Sequence, residues 1–149
     1  MSVSLSVTLL EAIHAHGARA YPEEGAGLLL GAFEGDVRRV TRLIPLDNHF
    51  RPESRTRRYL ISPRDLLAAE DEAEHLGLEV VGVFHSHPDH PARASEFDTQ
   101  WAMPVYSYVI TQVQAGVAVD SRSWRLAEDR GMMTEELLQV SDTPDAEEA

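Results

Sequence analysis

The apolar positions of this chain repeat with two periods, one helical and one extended. From Thr8 to Ala20, the residues Leu9, Leu10, Ile13 and Ala20 recur at helical spacing, and Thr8 followed three residues later by Glu11 has the form of a capping box. A first amphipathic helix is predicted there, with Gly17 on the same face weakening its last turn. Gly27-Leu-Leu-Leu-Gly-Ala-Phe33 is a short continuous apolar run. Glu34-Gly35-Asp36 then turns the chain into Val37 to Ile44, which predicts a hairpin with a buried first strand. Residues 45–58, rich in Pro, Asn and Arg, read as a loop. Ser62 as cap, Pro63 at the first helical position and Asp65 three residues after the cap start a second helix, which runs to about Leu76 and stops at Gly77. Glu79 to Phe84 reads as a buried strand leading into His85-Ser86-His87-Pro88, and Ser95-Glu96-Phe97-Asp98 opens a short third helix. Tyr106 to Val113, a turn at Ala115-Gly116, and Val117 to Leu126 make a closing hairpin. There is room for a terminal element near Thr134 to Val140, and the acid-rich stretch Ser141 to Ala149 is expected to be a solvated tail. Helices interleaved with strands predict an α/β fold, a mixed sheet with helices packed on its faces, in one domain over residues 1–140.

At 149 residues the chain can bury one good core and is too short for two ordinary domains. No apolar run approaches the roughly 20 residues of a membrane-spanning helix, and Met1-Ser-Val-Ser-Leu lacks the basic and apolar blocks of a secretory signal, so a cytoplasmic protein is expected. A formal charge of −12 opposes binding to phosphate backbones and anionic lipids, so neither nucleic acid nor membrane is an expected partner. All 13 bases are arginine, which codon bias explains most simply. The absence of cysteine removes disulfides, thiolate nucleophiles and every Cys-based metal site, so any metal must sit on His and carboxylate.

On an extended chain His85 and His87 point to the same side, whereas on a helix they would diverge by about 200°. Asp98 lies eleven residues beyond His87, across a loop with Pro88 and Pro91 that can bring the next helix back over the strand end. Two neutral imidazoles and a carboxylate leave a fourth tetrahedral position open, the donor set of a hydrolytic rather than a structural zinc site, with one Zn2+ per chain. Zinc lowers the pKa of bound water from about 15.7 towards about 7 and polarises the carbonyl under attack. A nearby carboxylate must still handle the proton; Glu24, just before the buried Gly27–Gly31 run, is the candidate, and Ser95 is the candidate hydroxyl donor to a developing oxyanion.

His85-x-His87, seven residues, Ser95, two residues and Asp98, with Glu24 far upstream, resembles the signature of the JAMM or MPN-plus (JAB1/Mov34/PAD-1) metallopeptidases of the short bacterial type. Pro22-Glu23-Glu24-Gly25-Ala26-Gly27-Leu28-Leu29 is similar to the family's Pro-x-Glu-x-x-Gly-Leu-Leu segment, which places the base at Glu24 rather than Glu23. Val81-Gly82-Val83-Phe84, Tyr106-Ser-Tyr-Val-Ile110 and Arg122-Ser-Trp124 extend the likeness over roughly residues 8–130. The resemblance implies a layout related to the cytidine deaminases, a catalytic zinc, and cleavage at the C-terminus of a ubiquitin-like or sulfur-carrier protein, either trimming the carrier or releasing an amino acid attached there. Ala26 and Ala94 depart from the cysteine and proline that many relatives carry.

Each element has a plainer reading. A chance His-x-His needs no metal; Ser95 and Asp98 fit an ordinary capping box; and one carboxylate is not expected both to fold back to the cap and to reach a metal well. Asn48 is a candidate contact for substrate backbone or simply a turn residue. Arg51, Arg55, Arg57 and Arg58 crowd one loop, where Arg57 and Arg58 could steer an acidic carrier surface or hold its C-terminal carboxylate, or stay solvated. His14, His16 and His75 fit helix positions, and His49 and His90 fit loops, with His90 near enough in sequence to line the cleft. The competing classes are a metal-free scaffold on the same fold; a zinc deaminase, which would need cysteine ligands; and a thermolysin-like protease, which would need His-Glu-x-x-His. The ligand set argues against the first and the sequence lacks what the other two require. The oligomeric state is not legible.

Overall fold

The computed structural model describes residues 1–129 and 131–142. The chain enters on a strand β1 (Ser2–Ser6) that runs directly into α1 (Val7–Ala20). A hairpin of β2 (Ala26–Glu34) and β3 (Val37–Leu46) follows, then a single 3-10 turn at Pro52–Ser54 and α2 (Pro63–His75). Next come β4 (Glu79–Pro88), α3 (Glu96–Trp101), a hairpin of β5 (Ser107–Gln114) and β6 (Val117–Leu126), and β7 (Met133–Ser141).

The helix signals act locally. Ser62 Oγ accepts the Asp65 N–H at 3.1 Å with Pro63 behind it, and Gly77, at φ +70°, ends α2 where predicted. In α1 the cap is Ser6 rather than Thr8: its Oγ accepts the Leu9 N–H at 3.1 Å, because the chain leaves β1 with no intervening loop. Gly17 does not shorten α1. Its missing side chain lets the helix lie against β4 and β5, since a Cβ there would stand 3.1 Å from Ser86 Cβ and 3.2 Å from Val113 Cγ2.

The sheet is mixed, as expected, and its seven strands among the described residues close in the order β1-β3-β2-β4-β5-β6-β7. Closure depends on β1, parallel to both β3 and β7, a strand the sequence pattern did not announce. The expected terminal element is β7, and it extends through Ser141, which pairs with Ser6, so the solvated tail does not begin at Ser141. Residues 143–149 of that predicted tail lie outside the described residues.

Two cores flank the sheet. One packs Leu9 and Ile13 of α1 with Leu29, Val81, Phe84 and Val109; the other packs Ala69 and Ala73 of α2 with Leu28, Leu30, Val83 and Tyr108. Leu29 pairs with Gly82 while Leu30 pairs with Val80, so Val81 is an extra, bulged residue in β4. That bulge resets the alternation. Val80 and Val83 face α2, Val81 and Phe84 face α1, and the next positions on the α2 side are His85 and His87. Among the described residues no helix is long and apolar enough to cross a membrane.

Candidate metal centre

The site is assembled from three chain segments at one end of β4. His85 and His87 are the last inward-facing side chains of that strand, both buried, their rings 5.1 Å apart. Ser86, on the opposite face, takes the Gly25 N–H on its Oγ at 2.8 Å and gives its own N–H to the Gly25 carbonyl at 3.0 Å. This fastens the segment that carries Glu24 beside the histidines. Glu24 is anchored further by its N–H donating to the Arg55 carbonyl at 2.7 Å and by its carbonyl accepting from Asn48 Nδ2 at 2.9 Å. Its carboxylate is buried, with Oε1 at 3.3 Å from His85 Nδ1.

Asp98 completes the group from α3. Its Oδ1 lies 3.2 Å from His85 Nε2 and its Oδ2 3.2 Å from His87 Nε2. The expectation that one carboxylate could not serve both cap and centre is corrected. Oδ2 also accepts the Ser95 N–H at 2.8 Å while Ser95 Oγ accepts the Asp98 N–H at 3.1 Å, so the capping box holds the carboxylate in place for the histidines. Two oxygens with two lone pairs each suffice for all these contacts.

Ring nitrogens and charge both fit a cation here. His87 Nδ1 lies 2.8 Å from the Pro91 carbonyl, which can only accept, so Nδ1 carries the proton and Nε2 presents a lone pair inward. Both ring nitrogens of His85 are buried without a well-directed hydrogen bond, although each has a carboxylate oxygen within 3.3 Å. Burial alone would drive charge off His85, but Asp98 and then Glu24 outweigh it and push its pKa up to about 10. Burial likewise opposes charge on Asp98, yet His85 and His87 hold its carboxyl far below the usual range. Ligand atoms of His85, His87 and Asp98 lie within 4.8 Å of one another. Donors about 2.0–2.1 Å from a tetrahedral zinc stand about 3.3–3.4 Å apart, close to the 3.2 Å that separates each histidine Nε2 from an Asp98 oxygen, Oδ1 for His85 and Oδ2 for His87, so the donor set is compatible with such an ion.

The other candidates divide. Asn48 is engaged by the backbone on every side: Nδ2 donates to the carbonyls of Glu24 and Arg58, both at 2.9 Å, and Oδ1 accepts the N–H groups of Phe50 and Leu60 at 2.9 and 3.2 Å. Its amide is saturated by backbone, which makes it a clip. Arg57 and Arg58 are exposed, the Arg58 guanidinium lying over the Phe97 ring at 4.9 Å. His90 comes closer to the centre than its loop position suggested. Its ring stacks on His87 at 4.1 Å, its Nδ1 donates to the Pro88 carbonyl at 2.9 Å, and one of its nitrogens falls within 4.8 Å of donor atoms of Glu24 and His87. Tyr59, which no sequence signal marked, stacks on His85 at 4.4 Å, and burial, then Asp98, raises its pKa well above 10. His14 and His16 hydrogen-bond Ser121 Oγ at 2.9 Å and the Ala26 carbonyl at 3.0 Å, and neither joins the groups of possible metal ligands found among the described residues.

The profile of the prokaryotic homologs of the JAB domain matches residues 6–127, a span that contains every residue of this centre. The chain belongs to that family. A Thermus thermophilus protein described as a "probable TtuB-protein conjugate cleaving protease" is 41% identical over 105 residues, 68% of this chain and 64% of that protein. The tail tip assembly protein K of Escherichia phage N15 is 36% identical over 89 residues, 60% of this chain and 32% of the phage protein. This JAB chain therefore spans less than two thirds of both relatives. Among solved structures, a protein of Desulfitobacterium hafniense superimposes with a TM-score of 0.83 at 31% identity, covering 96% of this chain and 95% of that one. One from Salinibacter ruber gives 0.72 at 43% identity, covering 95% and 92%. A JAB1/MPN domain protein of Archaeoglobus fulgidus, with a TM-score of 0.53 at 24% identity over 95% of this chain and 99% of its own, shares the fold.

Proposed function

We propose that this JAB-family chain is a zinc-dependent peptidase or isopeptidase, one metallopeptidase domain over residues 1–140, acting at the C-terminus of a ubiquitin-like or sulfur-carrier protein or releasing an amino acid attached there. The observation that carries the reading is the convergence of three buried donor side chains with the Glu24 carboxylate beside them. The description of the Thermus relative supports the substrate class.

His85, His87 and Asp98 would hold zinc, which supplies Lewis acidity for the carbonyl and lowers the pKa of water. The Pro91 carbonyl keeps His87 in the tautomer that offers Nε2, and the Ser95 cap keeps Asp98 from swinging away. Glu24 Oε1 faces His85, leaving Oε2 to take a proton from the attacking water and return it to the leaving amine. Ser95 Oγ accepts the Asp98 N–H, so its hydroxyl hydrogen remains available to the developing oxyanion. Arg57 and Arg58 are the candidates for steering an acidic carrier.

Zinc content and turnover of a candidate carrier conjugate test this together. Glu24→Gln is expected to keep one zinc per chain and lose turnover by roughly a hundredfold or more, the scale of general acid–base catalysis. His87→Ala is expected to lose both. Near-normal turnover in Glu24→Gln would remove Glu24 from the mechanism, and native protein purified without chelator and free of metal would favour a scaffold.

A further inference from the structure

Next to the centre lies a cleft of 380 Å³, lined not by the centre's own residues but by side chains that adjoin them. Its lining includes Tyr59, which stacks on His85; Val83, two positions before His85 on the same face of β4; and Phe97, the neighbour of Asp98 along the chain. The lining is almost wholly apolar and aromatic, and the volume lies within the range of small-ligand sites. At the mouth the apolar surface continues outward: Leu60, Trp101 and Met103 are 44%, 67% and 46% exposed. A tryptophan two-thirds exposed at the end of a six-residue helix does little for the fold, and exposed aromatics of this kind anchor polypeptide partners. Phe50 and Phe97 meet edge to face at 5.8 Å, and Arg51 and Arg58 lie over them at 5.6 and 4.9 Å. The mouth is therefore apolar inside and cationic at its rim.

We propose that this cleft is the specificity pocket for one large apolar side chain of the polypeptide being cut, Leu-, Met- or Phe-sized, close to the scissile carbonyl, with the rim arginines taking backbone carbonyls or an adjacent acidic residue. The proposal rests on the peptidase reading above. Three observations select this occupant. Residues 143–149 of the chain itself offer no apolar side chain larger than proline. A second copy would bring one net charge of −12 against another. A small cofactor would need convergent polar groups that this lining does not provide. An extended acidic segment bearing one apolar residue meets both the interior and the rim.

The test has two readouts. In nitrogen-proton correlation spectra, N-acetylleucinamide is expected to shift the signals of Trp101, Met103 and Tyr106, and N-acetylserinamide to leave them in place; Met103→Asp, a change at an exposed position outside the centre, is expected to abolish the difference. In turnover, fluorogenic peptide amides carrying Leu at the preferred position are expected to exceed their Ser counterparts in kcat/KM by roughly tenfold to a hundredfold. Met103→Asp should reduce that ratio to within about twofold, through loss of the Leu peptide's advantage. Shifts confined to other surfaces, or a Leu/Ser ratio indifferent to Met103→Asp, overturn the pocket. Hydrolysis with no apolar preference removes the pocket and leaves the peptidase; binding in the cleft by zinc-loaded protein that cuts nothing leaves an apolar side-chain site and removes the peptidase.

Discussion

Asn48→Ala separates a clip from a substrate contact. The side chain makes four hydrogen bonds, two of them half-buried, to the Glu24 carbonyl and from the Phe50 N–H, and two exposed, to the Arg58 carbonyl and from the Leu60 N–H. Water replaces the exposed pair. The half-buried pair, at about 0.5–1.5 kcal/mol each, gives an expected loss of about 1–3 kcal/mol. In a domain of this size that lowers Tm by about 2–12 °C. The segment bearing Glu24 loses one of its backbone tethers, and because a displacement of about 1 Å can cost a hundredfold, kcat is expected to fall roughly tenfold to a hundredfold with KM within about twofold. Zinc stoichiometry should not change, since none of the three donors hangs on Asn48. Asn48→Asp should be worse than Ala, because it sets a carboxylate against two carbonyl oxygens that now receive hydrogen bonds. Calorimetric unfolding, metal analysis and steady-state kinetics read all of this. A raised KM with unchanged Tm and kcat would refute the clip and restore the substrate contact.

Glu136→Gln should lose about 3–5 kcal/mol in urea unfolding, because Arg125 Nε stands 2.5 Å from Glu136 Oε1 in a buried pair and would keep an uncompensated charge. Replacing both by apolar residues should recover most of that loss, and a single-variant loss below about 1 kcal/mol would show the pair to be idle. Gly17→Val is expected to press on Ser86 and Val113, loosen the Ser86 hold on Gly25, and reduce kcat roughly tenfold with zinc retained; unchanged kcat in a folded variant would count against that route. Zinc binding should release close to one proton at neutral pH. His85 titrates at about 10 in the metal-free fold against 6.5 unperturbed, so its contribution to stability is complete below 6.5 and is lost as pH rises through about 10. Asp98, depressed, contributes above its ordinary 3.8 and loses that contribution as pH falls. Metal-free protein should therefore be most stable between these limits, and zinc should extend the window upward, because a ligating imidazole must be neutral. Calorimetric titrations in buffers of different ionisation enthalpy that detect no proton release would disprove a charged His85.

Local chemistry was legible wherever a few adjacent residues decide an outcome. Ser62-Pro63 and Gly77 delimit α2, Glu34-Gly35-Asp36 and Ala115-Gly116 turn the two hairpins, and the two-residue spacing of His85 and His87 places both rings on one face of any strand. The motif that joins them to Ser95, Asp98 and Glu24 is likewise a matter of spacing. Which face the rings share was not readable, because the bulge at Val81 sets the phase of β4 and exists only through pairing with Leu29 and Leu30 of β2. Ser2–Ser6 alternates polar and apolar residues, but five residues cannot name partners, and β1 became a strand by lying between β3 and β7. Asn48 as clip, Tyr59 against His85, and the apolar cleft all depend on a loop folding back over the sheet. Side-chain identity and neighbour spacing determine what a residue can do; contacts between segments far apart in sequence, selected by burial and strand register, decide whether it does so here.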